Sequence, residues 1–336
     1  MRKLAKIVKI DKLEKHPNAD TLDVCHVGGW KVVAKSNTHS EGELVVYCEI
    51  DSWLPHSIAP FLTKEGKTPR IFNQIEGQVL KSVRLRGIVS QGLLLPLNIL
   101  NSDYIPVIED DVSEMLNITK YEPPVSASLA GDLRCAFPGY VPKTDSERIQ
   151  NLTSELQVWA QNKELFSITE KLDGTSVSFI RNEEDIHVCS RNWSIRPSEQ
   201  NTYWKMYYKY NIESILQNNS FNIAIQGEVV GSGIQSNEYK LNEARLFVFN
   251  VYNIDEKRYL NMPEMETFCQ ENKLDTVPKI DTKILDESTT IDELLLQATD
   301  ASLLNKNTLR EGLVFKGINN TQLNFKVISN EWLLKH

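Results

Sequence analysis

Short alternating apolar runs, each broken by turn residues, fill the first hundred residues of this 336-residue chain. Alternation of apolar and polar residues is typical of strands that bury one face, and the glycine, proline, asparagine and aspartate between the runs indicate turns. The runs lie at residues 6–10, 22–27, 30–34, 43–50, 79–85 and 92–97. About five short strands at this spacing predict a small barrel.

Beyond residue 136 the pattern changes, because strand-like runs alternate with helix-like runs. Strands are predicted near residues 166–170, 176–180, 222–230, 245–253, 312–316 and 323–327, and helices near 145–162, 200–216, 263–272 and 291–303. Residues 99–136 carry three prolines and no clear period, which predicts a loosely organised linker. The chain is therefore predicted to be α+β, with one domain at residues 1–120, a linker to about residue 135, and a second domain at residues 136–336.

Composition excludes several classes of protein. No apolar run approaches the roughly 20 residues that span a bilayer, and the alternating N-terminus does not resemble a secretory signal, so no membrane partner is expected. The five scattered cysteines form no C-x-x-C pair, which argues against a disulfide framework or a zinc site and indicates a reducing, cytoplasmic compartment. A net charge of −8 argues against a protein that coats nucleic acid, but not against an enzyme with a local basic groove.

A turn in the N-terminal half carries the first family resemblance. Residues 16–22 read HPNADTL, and residues 42–46 read GELVV. These two blocks resemble the tRNA-binding type of OB domain. The turn also has a structural explanation, because proline fixes φ while asparagine and aspartate cap backbone groups. OB barrels bind single strands and loops but also serve as passive platforms, so the resemblance implies the fold and leaves the binding role open.

Six ordered sequence blocks between residues 168 and 329 point to a chemistry. Lys171, Asp173 and Gly174 form a K-x-D-G sequence, which by itself is also compatible with an ordinary hairpin turn. The blocks that follow are SRN at 190–192, QGEVVG at 226–231, LFVFNV at 246–251, REGLVFK at 310–316 and NFKVIS at 324–329. In this order the set resembles motifs I, Ia, III, IIIa, IV and V of the covalent nucleotidyltransferases, which include DNA ligases, RNA ligases and mRNA capping enzymes.

The residue types in these blocks suit nucleotide transfer through a lysine. A lysine at its ordinary pKa of about 10.4 is protonated and not nucleophilic. Partial burial and an adjacent divalent cation disfavour that charged form, so Lys171 is the predicted nucleophile toward the α-phosphate of ATP. Asp173, Glu228 and Glu311 stand at family positions for holding Mg²⁺ or Mn²⁺, directly or through water. Lys326 would neutralise charge that develops on the α-phosphate.

The resemblance implies further contacts to the nucleotide. The residues at the matching positions are Glu170, Lys171, Arg148, Arg191, Glu228, Phe249, Lys316 and Lys326. Phe249 would stack on adenine, although a core position is the structural alternative, and Phe247 would share its strand face. Many polynucleotide ligases carry K-x-K in motif V, whereas this chain has Asn324 at the first position. Either Lys316 supplies the second charge or the protein works with one.

Three arginines outside the catalytic blocks are candidates for phosphate contacts. Arg148 is predicted in the first turn of a helix capped by Thr144 or Asp145, where the resemblance implies a contact with ATP and solvation is the alternative. Arg84 and Arg86 lie two residues apart in a predicted strand and would therefore share a face. That face is predicted either to contact RNA or to be a solvated strand edge.

The order of the domains separates the members of the superfamily. DNA ligases and capping enzymes carry an OB domain after motif V, whereas here the OB-like half comes first and seven residues follow Ser329. This order, together with residues 325–334, resembles the ATP-dependent RNA ligases that join an N-terminal OB-type β-barrel to a minimal nucleotidyltransferase domain of antiparallel sheets flanked by helices. The resemblance implies an enzyme that seals 3′-OH and 5′-phosphate RNA ends, in particular nicks with an RNA 3′-OH strand. A monomer is expected. An RNA–DNA hybrid is a further candidate partner.

Two alternatives stay open at this point. The first is a non-catalytic RNA-binding protein with a decayed nucleotide pocket, against which the intact set of lysines and carboxylates argues. The second is a DNA ligase or a capping-type nucleotidyltransferase, which the order of the domains disfavours.

Overall fold

The computed structural model describes residues 2–123 and 127–336. The chain divides into two compact units, the first ending at residue 124 and the second running from residue 125 to residue 335. The strands of the first unit are β1 (Ala5–Lys9), β2 (Lys12–Lys15), β3 (Leu22–Val27), β4 (Trp30–Lys35), β5 (Leu44–Cys48), β6 (Ser52–Pro55), β7 (Arg70–Phe72), β8 (Ile75–Val79), β9 (Val83–Leu85), β10 (Ile88–Ser90), β11 (Leu93–Leu95) and β12 (Thr119–Lys120).

The second unit adds strands and helices in alternation. Its strands are β13 (Leu133–Ala136), β14 (Glu147–Arg148), β15 (Leu165–Lys171), β16 (Thr175–Asn182), β17 (Asp185–Cys189), β18 (Trp193–Ile195), β19 (Ile223–Val230), β20 (Arg245–Asn253), β21 (Arg258–Tyr259), β22 (Lys279–Ile284), β23 (Gly312–Gly317) and β24 (Asn324–Ile328). Its helices are α1 (Ala127–Ala130), α2 (Thr153–Gln161), α3 (Thr202–Lys209), α4 (Ile212–Asn218), α5 (Met262–Glu271), α6 (Ile291–Ala298) and α7 (Asn330–Lys335).

The first unit is built from small antiparallel sheets. Their strand orders are β1-β5-β11, β2-β3-β4 and β12-β6-β8-β7, with β9 and β10 forming a separate hairpin. The predicted run at residues 22–27 coincides with β3, and the other predicted runs overlap strands. Ile7, Val46 and Leu54 lie in the apolar core of this unit and are at most 1% exposed. The apolar runs thus located most of the strands, although β5 and β6 bury consecutive residues and therefore both of their faces.

The described residues of 99–136, which are 99–123 and 127–136, do not form the loosely organised linker that was predicted. Val112, Leu116 and Ile118 are buried in the core of the first unit, and β12 pairs with β6. On the other side, β13 pairs with β18 in the second unit. The prediction was wrong because isolated apolar residues in irregular backbone fill a core without producing any period in the sequence.

Two sheets carry the second unit. One has seven strands in the order β13-β18-β17-β16-β19-β20-β21, and the other has five in the order β14-β24-β23-β15-β22. All described pairings within them are antiparallel except that of β14 with β24. The predicted helix at residues 200–216 is two helices, because Asn211 adopts a left-handed φ of 48° between α3 and α4. None of the described helices is long and apolar enough to cross a membrane.

Each of these sheets buries one face against helices. The seven-stranded sheet packs Val177, Phe179 and Ile225 against α3, α4 and α5. The five-stranded sheet packs Phe315 and Phe325 against α2 and α6. The polar residues that alternate with these core residues line the opposite faces, and those faces position the candidate site.

Candidate active site

Lys171 ends strand β15, and the turn that follows it is tightly fixed. Its Cα pairs with that of Gly312 in β23. The backbone N–H of Asp173 donates to the hydroxyl of Tyr239 at 2.6 Å. A Cβ at Gly174 would lie 2.3 Å from the carbonyl oxygen of Val229, so only glycine lets the turn approach β19 this closely. The K-x-D-G sequence therefore places Lys171 beside the end of β19.

Carboxylates surround the amine of Lys171. Its Nζ donates to Glu311 Oε2 at 2.7 Å, and the Glu311 side chain is 11% exposed. Burial by itself lowers the pKa of Lys171, but the charges of Glu311, Glu228 and Asp173 outweigh it and raise that pKa. The sequence-based expectation of a lowered lysine pKa therefore does not hold in the protein alone, where the carboxylates stabilise the ammonium form.

Glu228 has the most perturbed carboxyl group of this cluster. Burial is the main cause that raises its pKa to about 8, and the neighbouring charges of Glu311 and Asp173 add to the effect while Lys171 opposes it. In the described part of the chain, no three Asp, Glu, His or Cys side chains lie close enough together to hold a metal ion directly. The three predicted metal ligands thus surround the lysine, an arrangement that suits a hydrated cation, because Mg²⁺ usually keeps several of its waters.

Basic residues collect on the same face of the five-stranded sheet as Lys171. Residues that are paired across antiparallel strands share a face. Lys316 pairs with Asn324, and Lys326 pairs with Val314, in the β23–β24 ladder. Since Gly312, Val314 and Lys316 alternate with core residues, Lys316, Asn324 and Lys326 face the same side as Lys171. The fold thus brings the predicted motif V residues to the nucleophile's side of the sheet.

Lys316 links the two sheets of this unit. Its Nζ donates to the carbonyl oxygen of Phe249 and to Oδ1 of Asn250. Asn250 Nδ2 donates to Gln226 Oε1 at 3.3 Å, and Gln226 Nε2 donates to the Pro142 carbonyl at 3.0 Å. Burial lowers the pKa of Lys316 to about 7. Lys316, Asn324, Phe249 and Asn250 all line one cleft.

The two aromatic residues of motif IIIa differ in exposure. Phe247 is 4% exposed and packs in an apolar cluster with Leu172 and Tyr239, whereas Phe249 is partly exposed at the margin of that cluster. The β19–β20 pairing shifts register between Gln226 and Gly227, and Phe249 is the extra residue of this bulge. Phe249 thereby lines the cleft with its ring centroid 5.6 Å from Lys316 Nζ.

Arg148 does not lie in the first turn of a helix. Helix α2 begins at Thr153, and Arg148 lies in β14, where it pairs in parallel with Lys326 of β24. The parallel pairing extends the backbone at a point where the sequence predicted a helix, so the proposed caps at Thr144 and Asp145 are wrong. Arg148 is 6% exposed, which also excludes the solvated alternative. The pairing brings it next to Lys326.

Two other predicted nucleotide contacts have partners within the protein. Arg191 Nη2 donates to both oxygens of Asp145, at 2.6 and 2.7 Å, in the loop that lines the cleft. Glu170 faces away from Lys171, because neighbouring residues in a strand point to opposite faces. Its Oε2 accepts from the backbone N–H of Leu303 at 2.8 Å, and burial raises its pKa. The side chain of Glu170 is therefore not brought to the nucleophile.

Arg84 and Arg86 do not share a strand face as predicted. Strand β9 ends at Leu85, and Arg86 adopts a left-handed φ of 47° in the turn between β9 and β10. His16 Nε2 lies 3.0 Å from the carbonyl oxygen of Leu85, and Asn18 Nδ2 donates to that of Arg86 at 3.0 Å. The turn at residues 16–18 thus holds the hairpin that presents both arginines, a role that sequence analysis did not find.

Sequence analysis also missed the contacts of three residues, which are Tyr239, Gln226 and Asn250. Tyr239 fixes the turn after Lys171, and the two amides position Lys316. Gln226 and Asn250 stand inside blocks that match motifs III and IIIa, so their place was known but not their contacts. Tyr239 lies outside every block, and no pattern in the sequence indicates its role.

Comparison with known proteins gives matches for both halves. A family model described as RNA ligase matches residues 164–329, and one described as an OB-fold domain matches residues 4–97. Solved structures of Naegleria gruberi RNA ligase are 36% identical. A mutant with ATP and Mn has a TM-score of 0.90 over 99% of each chain. A mutant with AMP and Mn and the enzyme with PPi each have a TM-score of 0.90, over 100% of this chain and 99% of theirs. Comparison with curated proteins gives no match.

These findings confirm the predicted α+β fold with its OB domain in front, and the predicted class of enzyme, an ATP-dependent RNA ligase. The predicted cofactors, ATP and a divalent metal, agree with the complexes of the solved relatives. With 36% identity over its full length to a solved RNA ligase, the chain belongs to the RNA ligase family.

Proposed function

We propose that this ATP-dependent RNA ligase carries AMP on Lys171 and uses it to seal nicks whose 3′-OH strand is RNA. The observation that carries the proposal is the placement of Lys171. Its amine lies 2.7 Å from Glu311 and among the charges of Glu228 and Asp173. It also shares a sheet face with Lys326. A nucleophile, a set of carboxylates and a phosphate-binding lysine are the parts that nucleotidyl transfer needs.

In the first step Lys171 Nζ attacks the α-phosphorus of ATP. A phosphorus–nitrogen bond forms, the bond from the α-phosphorus to the bridging oxygen breaks, and pyrophosphate leaves. The amine must lose a proton to act, whereas in the protein alone the carboxylates favour the ammonium form. Glu311, Glu228 and Asp173 would hold a hydrated divalent cation, whose positive charge would disfavour the ammonium form and offset charge on the triphosphate. Glu311, which accepts the hydrogen bond from Nζ, is the group placed to hold that proton.

Two further transfers complete sealing. An oxygen of the 5′-phosphate end attacks the lysyl-bound phosphorus, which forms a phosphoanhydride with AMP and restores the amine of Lys171. The 3′-OH then attacks the activated 5′-phosphorus, a phosphodiester forms, and AMP leaves. Lys326 and Arg148 are adjacent across β14 and β24, and we assign to them the stabilisation of charge on the phosphates.

The nucleotide base is assigned to the cleft beside Phe249. Phe249 is partly exposed there, and Lys316 and Asn250 line the same cleft. Arg191 and Asp145 stand at its side as an ion pair, and we propose that Arg191 exchanges this partner for a phosphate when ATP binds. Such an exchange keeps the guanidinium paired in both states, which limits the cost of moving it.

The setting of the reaction is proposed as well. We infer a monomer that works in the cytoplasm. All five cysteines are unpaired, and four of them are buried. Unpaired cysteines are typical of proteins in a reducing compartment such as the cytoplasm. A gel-filtration mass of two chains would contradict the monomer.

Nicked duplexes in which each strand is varied between RNA and DNA test the proposed substrate. We expect sealing when the 3′-OH strand is RNA, and little when it is DNA. Lys171→Ala should fail on a 5′-phosphate nick but seal a nick that already carries 5′-AMP, because that last step needs no lysyl adduct. Sealing by Lys171→Ala from ATP, or equal sealing of a DNA 3′-OH strand, would contradict the proposal.

A further inference from the structure

An arginine lies over an aromatic cluster on the first unit, far in sequence from the catalytic residues. Arg70, in β7, is exposed. Its guanidinium carbon lies 5.5 Å from the centroid of Tyr121 and 5.9 Å from that of Trp53. The rings of Trp53 and Tyr121 stack with centroids 5.7 Å apart and an interplanar angle of 23°. Phe72 packs edge-on against Tyr121 at 5.1 Å.

A glycine lets this cluster close across the sheet. Gly77 in β8 pairs with Pro55 on one side and with Arg70 on the other, so β8 separates the strands that carry Trp53 and Arg70. A Cβ at Gly77 would lie 2.9 Å from Nε1 of Trp53. With no side chain there, the Trp53 ring covers the strand between them and reaches the guanidinium.

The cluster lies on the sheet face that points away from the core. Leu54 is buried in the core of the first unit, and Trp53 precedes it in the strand, so the two side chains point to opposite faces. Trp53 is itself 0% exposed, and its ring contacts those of Phe72 and Tyr121. The exposed member of the cluster is Arg70, a cation, whereas the outer residues of a small apolar core are usually apolar.

The charge and hydrogen bonding of Arg70 suit a nucleic-acid partner. Its Nη2 donates to the Tyr121 hydroxyl at 2.9 Å, and no carboxylate pairs with it in the part of the chain that the structure describes. The segment 64–81 carries four basic and two acidic residues, in a chain whose net charge is −8. A guanidinium that one edge hydrogen bond holds beside aromatic rings has other N–H groups for phosphate and a planar surface on which a base can stack.

We propose that Arg70 and Tyr121 form a stacking site for one nucleotide of the RNA substrate, an inference that rests on the proposed function for the identity of its ligand. The base lies against the open face of the Arg70 guanidinium, and the Tyr121 hydroxyl and rings hold that plane in place. Stacking tolerates any base, which suits an enzyme that joins ends of different sequence.

RNA binding by three full-length variants tests this site. The probe is a fluorescein-labelled RNA duplex with one nick, and the readout is fluorescence anisotropy against salt concentration. Arg70→Ala should weaken binding about tenfold, the effect of losing one stacked base. Arg70→Lys should weaken it almost as much, because lysine keeps the charge but not the plane. Arg258→Ala is the control, since Arg258 is an exposed arginine of the other unit that pairs with Glu264.

The comparison of the variants decides between stacking and simple charge. Affinity of Arg70→Ala within twofold of wild type would overturn the proposal, and so would wild-type affinity of Arg70→Lys. If Arg70→Ala loses the fold, Arg70→Lys decides, because it keeps a cation and an alkyl stem over the rings. Labelling by ATP should be unchanged in all variants. If ATP did not label the wild-type protein, the proposed function would be contradicted. The comparison of RNA binding among the variants would still decide the proposed stacking site.

Discussion

At the scale of single residues, the proposed chemistry depends on the charges around Lys171. The same carboxylates that keep the amine protonated in the protein alone are those at the family's metal positions. The carboxylates cannot stabilise the Lys171 ammonium and a divalent metal ion equally well at the same time. Binding of a metal ion to them and protonation of Lys171 are therefore coupled. We therefore predict that the rate of adenylylation requires the charge of the carboxylates and depends on pH.

Glu311→Gln should slow formation of the lysyl adduct by about 100-fold, since it removes the carboxylate that accepts from Nζ and one charge of the cluster. The fold should persist, because glutamine keeps the size of the side chain and no apolar core cluster among the described residues includes Glu311. Rapid-quench labelling with α-labelled ATP measures the rate, and thermal unfolding reports the fold. Glu287→Gln, an exposed glutamate, is the control. Labelling at the wild-type rate, or an unfolded variant, would mean that Glu311 is a structural carboxylate.

The rate of adenylylation should rise with pH in a way that depends on metal concentration. The pKa of Glu228 is raised from 4.5 to about 8, so near neutral pH much of this group is protonated and cannot bind a cation. With saturating ATP, whose phosphates favour the charged form of Lys316, the rate should therefore increase from about pH 6 to about pH 8. More Mn²⁺ should move the midpoint to lower pH, because metal and proton compete. Single-turnover labelling at several Mn²⁺ concentrations measures this. A midpoint that ignores Mn²⁺ would contradict it.

Sequence analysis proposed the reacting residues but not all of the contacts that hold them. Lys171, Glu228, Glu311 and Lys326 stand in short blocks whose order is distinctive. In the structure the charges of Glu228 and Glu311 act on Lys171, and Lys326 lies on the same sheet face as Lys171. Tyr239 was missed because its hydroxyl meets the Asp173 N–H across 66 residues of sequence, and no local pattern records such a contact.

At the scale of secondary structure elements, the ladder of β23 and β24 shows how a missing charge can be replaced. Asn324 stands where many relatives of this superfamily carry a lysine, and Lys316 is its directly paired neighbour. Side chains at paired positions have Cβ atoms roughly 5 Å apart on one face. A long lysine side chain at either position can therefore serve the same part of the cleft.

Exchanging these two positions tests the replacement. Lys316→Met, which keeps most of the volume, should slow adenylylation about tenfold, a loss of about 1.4 kcal/mol. Adding Asn324→Lys to that variant should restore most of the rate, because the charge returns to the same face. Asn324→Gln in the same background is the matched control. If both double variants reacted equally slowly, the positive charge of Lys316 would not be the property that adenylylation requires.

Boundaries of elements were the weakest part of the sequence-based prediction. Alternation located β3 and β20 to the residue. It failed at Arg148, where a two-residue parallel pairing with a strand 178 residues away in sequence decides the backbone. It failed again at Arg86, which adopts a left-handed conformation in the tight turn between β9 and β10. The pairing of these two strands requires that turn. Long-range pairing, which local propensity does not contain, explains both errors.

At the scale of the whole molecule, two units with separate cores divide the work. The two largest cores of the second unit contain only residues beyond 128. The core that holds Ile7 and Leu54 uses residues up to 118. Every residue to which we assign a role in adenylylation lies in the second unit, whereas the arginine hairpin and the Arg70 cluster lie in the first.

Removing residues 1–124 should therefore separate two activities. The remaining chain should form the lysyl adduct within about tenfold of the full-length rate, and nick sealing should fall by at least about 100-fold because phosphate contacts are lost. Circular dichroism checks its fold, and adenylylation and sealing are measured side by side. Equal loss of both activities would make the first unit a folding partner. Full retention of sealing would show that it does not bind RNA.

Mapping of the AMP adduct tests the central claim most directly. The intact protein is incubated with ATP and Mn²⁺, digested, and analysed by peptide mass spectrometry. We predict one acid-labile AMP on the peptide that contains Lys171, and its disappearance when pyrophosphate or a 5′-phosphorylated nick is added. Absence of any adduct, or an adduct on a different lysine that survives in Lys171→Ala, would contradict the account.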